Sequence, residues 1–449
     1  MQMKKTILTI NFIIVYFLLV SSSFASVHEK VLSNGLKVIV KEDHRAPVAT
    51  AQVWYKVGSA NEHGGITGVS HVLEHMMFKG TPSYPVGKFS EILAAAGARD
   101  NAFTSSDYTA YYQLMDASKL KTSFELESDR MAHLNLDEGE FLKEIEVVKE
   151  ERRLRTEDNP NALTYEQLKA TAYNNSPYHN PVIGWMDDLN SMQVSDLRKW
   201  YEDWYAPNNA TLVVVGDVDP EQIFTMAEQY YGSIPTRQVA SIKSRLEPNQ
   251  VGERRVEVKA IAKLPYIIFG YKTPSLLTAE DSAEAYALDI LSGILDGGRS
   301  SRLSKNLVRD QEIAASAGAG YDIYSARGNL FLFDGTPNAG VTIEQLEQAI
   351  NNEIEKVKNT LVSDEELKRV KVQVVANEVY EQDSVQHQAY TIGELETIGL
   401  GWQKMNEYAD NIQKVTAEEV REVAKKYLID ERKTVAILNP LESKTIGSK

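Results

Sequence analysis

Two of the eight histidines in this 449-residue chain, His71 and His75, stand four residues apart, and Glu74 immediately precedes the second. Residues spaced i, i+3 and i+4 project from one face of an α-helix, so these three side chains can meet at one point. Neutral imidazoles are good zinc ligands, and a neighbouring carboxylate can accept a proton from a water that zinc activates. The spacing therefore predicts a metal site with a base beside it.

The flanks of this motif predict that its helix is largely buried. They are apolar, namely Val69, Val72, Leu73, Met76, Met77 and Phe78. A polar group on a buried helix needs a partner, which argues against the alternative, a chance cluster on a solvated helix face. The order His-x-x-Glu-His is also the inverted form of a zinc-peptidase motif, so peptide hydrolysis is the chemistry that the pattern favours.

A catalytic zinc usually takes three protein ligands, so a third must lie elsewhere in the chain. Residues 141–153 have a helical pattern rich in acids, and Glu144 and Glu151 are seven residues apart on one face of it. One of them could bind the metal while the other supports the site. Taken alone, however, the pattern of this segment favours a charged exterior helix without a role at the metal.

Composition indicates a soluble globular protein with a large core. The chain is 43% hydrophobic and 25% charged, and its length suggests two to four domains. It contains no cysteine, which excludes disulfides, thiolate ligands and a lipid-modified cysteine. The formal charge is −15, and removal of residues 1–25, which hold two lysines and no acid, would make it −17. Such a charge argues against nucleic acid as a partner.

Residues 1–25 have the organisation of a secretory signal. Lys4 and Lys5 precede an apolar stretch over residues 7–20, and small residues follow up to Ala25. We expect cleavage after Ala25 and a secreted or periplasmic mature protein without stable membrane insertion. Because the apolar stretch is short for a membrane span, an uncleaved N-terminal anchor is the less favoured alternative.

An internal repeat predicts an α+β fold of two similar domains, each a mainly antiparallel sheet with helices packed on it. The helix and strand pattern of residues 194–215 recurs in outline at 415–438, and the strand and helix around the motif recur at 266–295. In that alignment the positions of His71, Glu74 and His75 are taken by Asp289, Ser292 and Gly293. The second half thus has the scaffold without the metal site.

The repeat also predicts the domain boundaries. We assign residues 26–235 to a zinc-bearing catalytic domain and 256–449 to a second homologous domain that lacks the zinc motif. The polar residues 236–255 between them form the predicted linker. An ordinary long loop within one domain is the alternative for this segment.

Four segments, taken in chain order, resemble the pitrilysin/insulysin family of inverted-motif zinc peptidases. They are residues 68–81 around the motif, residues 101–109, residues 144–152 and residues 205–217. The match spans almost the whole mature chain. It implies the two similar α+β domains of that family and its metal-assisted hydrolysis of peptide bonds.

The resemblance also implies roles for individual residues. His71, His75 and Glu151 would be the zinc ligands, with Glu74 as the general base, and Glu150 stays the rival third ligand. Glu144 corresponds to an acid that supports the ligands. The segment Asn101, Ala102, Phe103 and Thr104 corresponds to an edge strand to which an extended substrate adds, with an ordinary internal strand as the alternative.

The second domain departs from the family pattern at one position. Family members with complete sites use an arginine and, seven residues later, a tyrosine from that domain to hold the substrate. Arg309 matches the arginine, although an exposed residue after an amphipathic helix is the alternative. Ser316 stands at the tyrosine position and cannot replace a phenol, whereas Tyr321 could do so after a local shift.

This departure bears on assembly, because family members of this length pair with themselves or with a sister subunit. We expect a heterodimer in which this chain carries zinc, and a homodimer that uses Arg309 and Tyr321 is the alternative. The expected function is a zinc endopeptidase, with one zinc per chain, acting on short or unfolded peptides in an exported compartment. A non-catalytic structural subunit and a peptide-binding protein without turnover are the alternatives.

Overall fold

The computed structural model describes residues 26–441 and contains two sheets with helices packed on them. The predicted signal, residues 1–25, lies outside the described residues. The first sheet has the order β1-β2-β6-β3-β5-β4. Its strands are β1 (Val27–Val31), β2 (Lys37–Glu42), β3 (Val48–Tyr55), β4 (Arg99–Thr104), β5 (Thr109–Asp116) and β6 (Ala210–Gly216).

The second sheet has the order β7-β11-β8-β10-β9. Its strands are β7 (Arg254–Ile261), β8 (Tyr266–Thr273), β9 (Ala314–Gly320), β10 (Asn329–Pro337) and β11 (Lys433–Leu441). In the first sheet only the β2 and β6 pair is parallel, and in the second only the β7 and β11 pair. The order β2-β6-β3-β5-β4 is therefore repeated as β7-β11-β8-β10-β9, which confirms the predicted α+β fold of two similar domains.

Helices follow the same repeat. In the first half they are α1 (Val69–Met76), α2 (Lys88–Ala95), α3 (Leu120–His133), α4 (Glu138–Arg152), α5 (Pro160–Ala172), α6 (Met186–Ser191), α7 (Val194–Trp204) and α8 (Pro220–Tyr231). In the second half they are α9 (Ser282–Asp296), α10 (Ile343–Asn359), α11 (Asp364–Glu381), α12 (Val385–Ile398), α13 (Lys404–Lys414) and α14 (Ala417–Tyr427). Helix α1 packs on α4 and α7, as α9 packs on α11 and α14.

The two halves exchange one helix each across their boundary. Helix α5, which follows α4, lies on the second sheet against β7, β8 and β11, whereas α12, which follows α11, lies on the first sheet against β3 and β6. Ala389, Ile392 and Leu395 of α12 join the core around Trp54. Leu168 of α5 packs in the same way in a cluster with residues of the second sheet. Each sheet thus needs a helix from the other half to cover one face.

The segment between Tyr231 and Arg254 contains no helix or strand, but it is attached to the first half. The Glu247 carboxylate accepts hydrogen bonds from three consecutive backbone amides, those of residues 174–176. Arg245 donates to the carbonyl of Glu62, 3.0 Å away. Among residues 26–441 there is no helix with the length and hydropathy that a membrane crossing requires.

Candidate metal centre

Helix α1 is held at its N-terminus by a buried glutamate from the preceding loop. The Glu62 carboxylate accepts hydrogen bonds from the backbone amides of Gly68 at 2.7 Å and Ser70 at 2.9 Å. Burial raises the pKa of Glu62 to about 7, although these two donors favour the ionised form. Gly68 is the N-cap of the helix and has a φ of +87°, a backbone conformation that residues other than glycine rarely adopt.

One side of α1 is core and the other carries the predicted site. Val69, Val72, Leu73 and Met76 are fully buried in the first half. Their packing fixes the rotation of the helix, so the remaining positions turn His71, Glu74 and His75 toward α4 and β4. The two imidazole rings lie 4.8 Å apart, centroid to centroid.

Helix α4 supplies the acids. Its N-terminus is capped by Asp137, whose side chain accepts a hydrogen bond from the amide of Glu140 at 2.9 Å. A buried apolar face, Phe141, Ile145 and Val148, anchors it in the core. The predicted spacing of seven residues then places Glu144 and Glu151 together beside α1. Immediately after Glu151, Arg152 forms a two-bond pair with Glu166 of α5, at 2.8 and 3.0 Å, which fixes this end of the helix.

The three predicted ligands converge. Glu151 Oε2 lies 3.4 Å from His75 Nε2 and 3.8 Å from His71 Nε2, and one donor atom from each residue lies within 4.8 Å of the other two. In a tetrahedral zinc site with bonds of 2.0–2.2 Å, neighbouring ligand atoms are about 3.4 Å apart. Two imidazole nitrogens and one carboxylate oxygen at these distances therefore fit zinc.

Glu151 and its rival Glu150 point in different directions. The Glu151 side chain is 16% exposed, and its second oxygen is held by Arg155 at 2.6 Å. The Glu150 side chain is 58% exposed and pairs with Arg153 at 2.9 Å. The structure therefore brings Glu151, and not Glu150, to the histidines.

Glu144 orients His75 from behind. Its Oε1 lies 2.9 Å from His75 Nδ1, and because a carboxylate accepts, Nδ1 is the donor and Nε2 is left to face Glu151. The other oxygen of Glu144 lies 2.5 Å from Lys79 Nζ. Burial alone would raise the pKa of Glu144, but the hydrogen bonds from Lys79 and His75 bring it below its ordinary value.

The electrostatics of α1 suit metal binding. Burial, with a smaller contribution from the neighbouring charges of His75 and Arg155, lowers the pKa of His71 to about 3, so its imidazole is neutral at physiological pH. Burial raises the pKa of Glu74, and a hydrogen bond from the Thr104 hydroxyl, 2.5 Å from Glu74 Oε2, opposes that rise. The hydrogen bond from Thr104 of β4 thus orients the Glu74 carboxylate through Oε2, and Thr104 does not engage Oε1.

The predicted substrate strand lies at the edge of the first sheet. Residues Asn101, Ala102, Phe103 and Thr104 belong to β4, which pairs with β5 on one side and is the last strand in the sheet order. It is the strand that contacts α1. The unpaired edge therefore lies beside the histidines and Glu74.

In the described part of the chain, Arg309, Ser316 and Tyr321 make no hydrogen bond or ion pair with the site residues. The polar partners found for His71, Glu74 and His75 in the described residues all come from the first half. Arg309 is exposed on a π-helix, Leu303–Asp310, and Ser316 is exposed on β9. The Tyr321 hydroxyl donates to the carbonyl of Pro274 at 2.8 Å, and its ring stacks on Phe331.

Three residues that the sequence interpretation did not assign contribute to the geometry. Lys79 follows His75 by four positions, and Arg155 follows Glu151 by four, so a search for oppositely charged side chains at that spacing would have found the second pair. Glu62 gave no such signal, because its cap on α1 depends on the path of the loop between them.

Comparison with known proteins places both halves in one family. Residues 37–185 match the sequence profile described as Insulinase (Peptidase family M16), and residues 191–374 match that described as Peptidase M16 inactive domain. The second description agrees with the absence of the His-x-x-Glu-His motif from that half of the sequence.

Individual relatives agree. The chain is 33% identical over 425 residues to the zinc protease PqqE of Helicobacter pylori, with 94% of each protein covered. It is 26% identical to the uncharacterized zinc protease YmxG of Bacillus subtilis, over 91% of this chain and 97% of that protein.

Solved structures share the fold. A protease from Helicobacter pylori superposes with a TM-score of 0.88 at 32% identity, over 93% of this chain and all of that one. The first half of the periplasmic protease PqqL from Escherichia coli gives a TM-score of 0.76 at 19% identity, covering 92% and 91% of the two chains. The two-sheet fold, the inverted motif and these relatives together show that this chain belongs to the M16 (insulinase) family of peptidases.

Proposed function

We propose that this protein is a zinc-dependent endopeptidase that hydrolyses short or unfolded peptides bound in extended form. The observation that carries the proposal is the convergence of His71 Nε2, His75 Nε2 and Glu151 Oε2 beside Glu74. The names of its M16 relatives, which are zinc proteases, support the same activity.

Each residue has a distinct task in this proposal. His71, His75 and Glu151 would hold zinc, which when bound polarises the peptide carbonyl and makes a water molecule more acidic. Glu74, held at Oε2 by Thr104, accepts the proton of the attacking water and passes it to the leaving amine. Glu144 accepts a hydrogen bond from the Nδ1–H of His75, so that the neutral ring presents its unprotonated Nε2.

Substrate binding follows from the position of β4. Its outer edge offers unpaired backbone groups, and an extended peptide can add there as a further strand next to Glu74. Hydrogen bonds between main chains select peptides by their extended conformation. They depend little on the side chains, which point alternately to the two faces of the sheet. We therefore propose that Asn101, Ala102, Phe103 and Thr104 select extended segments, which folded proteins rarely expose.

A direct test uses the purified chain from Ser26 onward and a mixed peptide library. With zinc we expect internal cleavage of peptides, and after removal of the metal by a chelator we expect none until zinc is restored. A chain that binds library peptides in the presence of zinc but never cleaves them would instead support a peptide-binding protein without turnover. The observation that favours this alternative is Ser316, which stands where complete family members have a tyrosine.

We also propose that a partner completes the site. Arg309 and Ser316 are exposed and are not among the polar partners of Glu74 in the described residues, and the Tyr321 hydroxyl donates to the carbonyl of Pro274. A sister subunit whose second domain supplies an arginine and the tyrosine that Ser316 replaces here would complete the site, as a heterodimer. The test compares peptide cleavage by this chain alone with cleavage after addition of a similar protein encoded beside its gene. Full activity of a homodimer would contradict the heterodimer.

The proposed location is an exported compartment, reached through removal of residues 1–25. The basis is the signal-like sequence and the described periplasmic location of PqqL. N-terminal sequencing of the protein from cell fractions tests this, with Ser26 in the exported fraction as the expected first residue. A mature protein that still begins at Met1 would support the uncleaved anchor.

A further inference from the structure

The turn that leaves the substrate strand is held by the second half of the chain. Residues 105–108 join β4 to β5, and within them the Asp107 side chain is buried, with 8% exposed. Its carboxylate accepts hydrogen bonds from Arg327 at 3.0 Å, from the amide of Ala326 at 3.1 Å and from the Tyr178 hydroxyl. Two of these three donors belong to the second half, in the loop between β9 and β10.

The next residue makes a second link of the same kind. The Tyr108 hydroxyl donates to Glu394 Oε1 at 2.8 Å, and it lies 2.9 Å from the Tyr390 hydroxyl. Both partners are on α12, the second-half helix that covers the first sheet. The end of the substrate strand is therefore fixed at two consecutive positions by elements outside its own domain.

The first half holds the same turn through its backbone. The carbonyl oxygens of Ser105 and Ser106 accept hydrogen bonds from the amides of Ser59 and Ala60, at 3.1 and 2.8 Å. Gly58 lies so close to this turn that a Cβ on it would stand 2.4 Å from the Ser105 carbonyl oxygen. These contacts join the turn to the first domain, while the contacts of Asp107 and Tyr108 join the same turn to the second half.

The held turn is close to the chemistry. Thr104, whose hydroxyl donates to Glu74 at 2.5 Å, precedes Asp107 by only three residues. Contacts run from Arg327 to Asp107, through three residues of backbone to Thr104, and on to Glu74. Loss of the Arg327 side chain would leave the buried Asp107 carboxylate with fewer donors, a costly state that movement of the turn toward water would relieve.

We propose that Asp107 and Arg327 are positioning residues, through which the second half of the chain sets where the end of β4 lies and thus where an extended peptide pairs beside Glu74. This inference rests on the proposed peptidase function. It assigns to the second half, which lacks the His-x-x-Glu-His motif, a role in substrate binding within the same chain.

The test compares Arg327→Ala, Arg327→Lys and Asp107→Asn with a control, Arg255→Ala, in the full zinc-loaded protein. Arg255 is a matched control because it pairs with Glu347 at 2.7 Å inside the second half and is 42% exposed, against 33% for Arg327. Arg327→Ala should raise KM for peptides at least tenfold and change kcat less than threefold, because the edge of β4 shifts while α1 and α4, which carry Glu74 and the ligands, keep their packing in the core. Arg327→Lys should recover part of the KM, since lysine restores one donor.

A second readout does not depend on turnover. Hydrogen exchange of the amides of residues 101–106 should be faster in Arg327→Ala and Asp107→Asn than in the parent, and unchanged in Arg255→Ala. Equal KM values and equal exchange in Arg327→Ala and Arg255→Ala would overturn the inference. If the parent protein cleaves no peptide at all, the proposed function fails, and the exchange measurement alone then decides whether Arg327 positions β4.

Discussion

One oxygen of Glu151 is held by Arg155, and the other faces both imidazoles. One carboxylate oxygen and two imidazole nitrogens are therefore available to a metal ion. Three protein ligands are the usual number in a catalytic zinc site, which keeps its fourth position open for water. Glu144 makes no such approach to both histidines. It contacts Nδ1 of His75 and Nζ of Lys79, so in the proposed site it would orient a ligand.

Separate substitution of Glu151 and Glu150 tests the assignment of Glu151 as the third zinc ligand. Glu151→Gln should weaken zinc affinity by more than about 100-fold, because losses of about 10–100-fold already follow from changes to residues that only support ligands. Glu150→Gln should leave the affinity unchanged, because that side chain faces solvent. Competition with a chelator measures both. Zinc lost from the Glu150 variant and kept by the Glu151 variant would move the third ligand by one residue.

How far the sequence predicts this site depends on distance along the chain. The approach of His71 to His75 follows from helix geometry alone, since both are on one helix. Glu151 lies 76 positions beyond His75, and the pattern of α4 by itself favours a charged exterior helix. The resemblance to a family selected Glu151. The contact of Lys79 with Glu144 depends on how two helices pack, which no local pattern states.

At the scale of elements, α12 packs closely on the sheet of the first domain. Gly393 on this helix lies against the indole of Trp54, where an added Cβ would stand 2.1 Å from the nearest ring atom. Trp54 is fully buried in the sheet and donates to Gln52 at 3.0 Å, so the ring cannot move aside. The close approach of α12 to the sheet therefore requires glycine at this position.

Gly393→Ala should destabilise the protein by about 1–3 kcal/mol, the usual cost of overpacking a filled core. Gly252→Ala is the control, because a Cβ there meets nothing within 4 Å. Denaturant unfolding followed by tryptophan fluorescence compares the two variants with the parent. Equal midpoints for Gly393→Ala and the parent would show that α12 does not pack on Trp54 as described.

Most elements around the site are predictable, but the helix exchange is not. The hairpin at Asn34-Gly35, the strand β3 and the motif helix follow from local patterns of turn residues and apolar spacing. The apolar positions Ala389, Ile392 and Leu395 likewise indicate a helix with a buried face. They do not say which sheet it covers, because that choice depends on contacts between residues more than 150 positions apart.

At the scale of the whole molecule, buried acids lie where the halves meet. Glu394 of α12 accepts hydrogen bonds from Tyr108 and Tyr390, and burial raises its pKa to about 7 from an ordinary value of 4.5. Between these values the folded protein holds a proton that the unfolded chain has released. The free energy of unfolding therefore falls as pH rises from about 4.5 to 7, and this contribution is constant above 7.

Glu394→Gln removes this titration and keeps a neutral side chain of the same shape. The stability of the parent minus that of the variant should decline as pH rises from 5 to 7, by at most about 1.4 kcal/mol per pH unit. Taking the difference cancels other groups, including Asp289, whose pKa burial raises to about 6. Urea unfolding at a series of pH values measures it, and a difference independent of pH would contradict the burial of Glu394.

The central claim is that Glu74 activates water for peptide hydrolysis at a zinc site built from His71, His75 and Glu151. The most direct measurement is zinc content and peptide turnover of Glu74→Gln, side by side with the parent. The account predicts one zinc per chain in both proteins and a fall in turnover of at least about 100-fold in the variant, the lower range for loss of a general base. A variant that binds zinc and cleaves peptides as fast as the parent would contradict it.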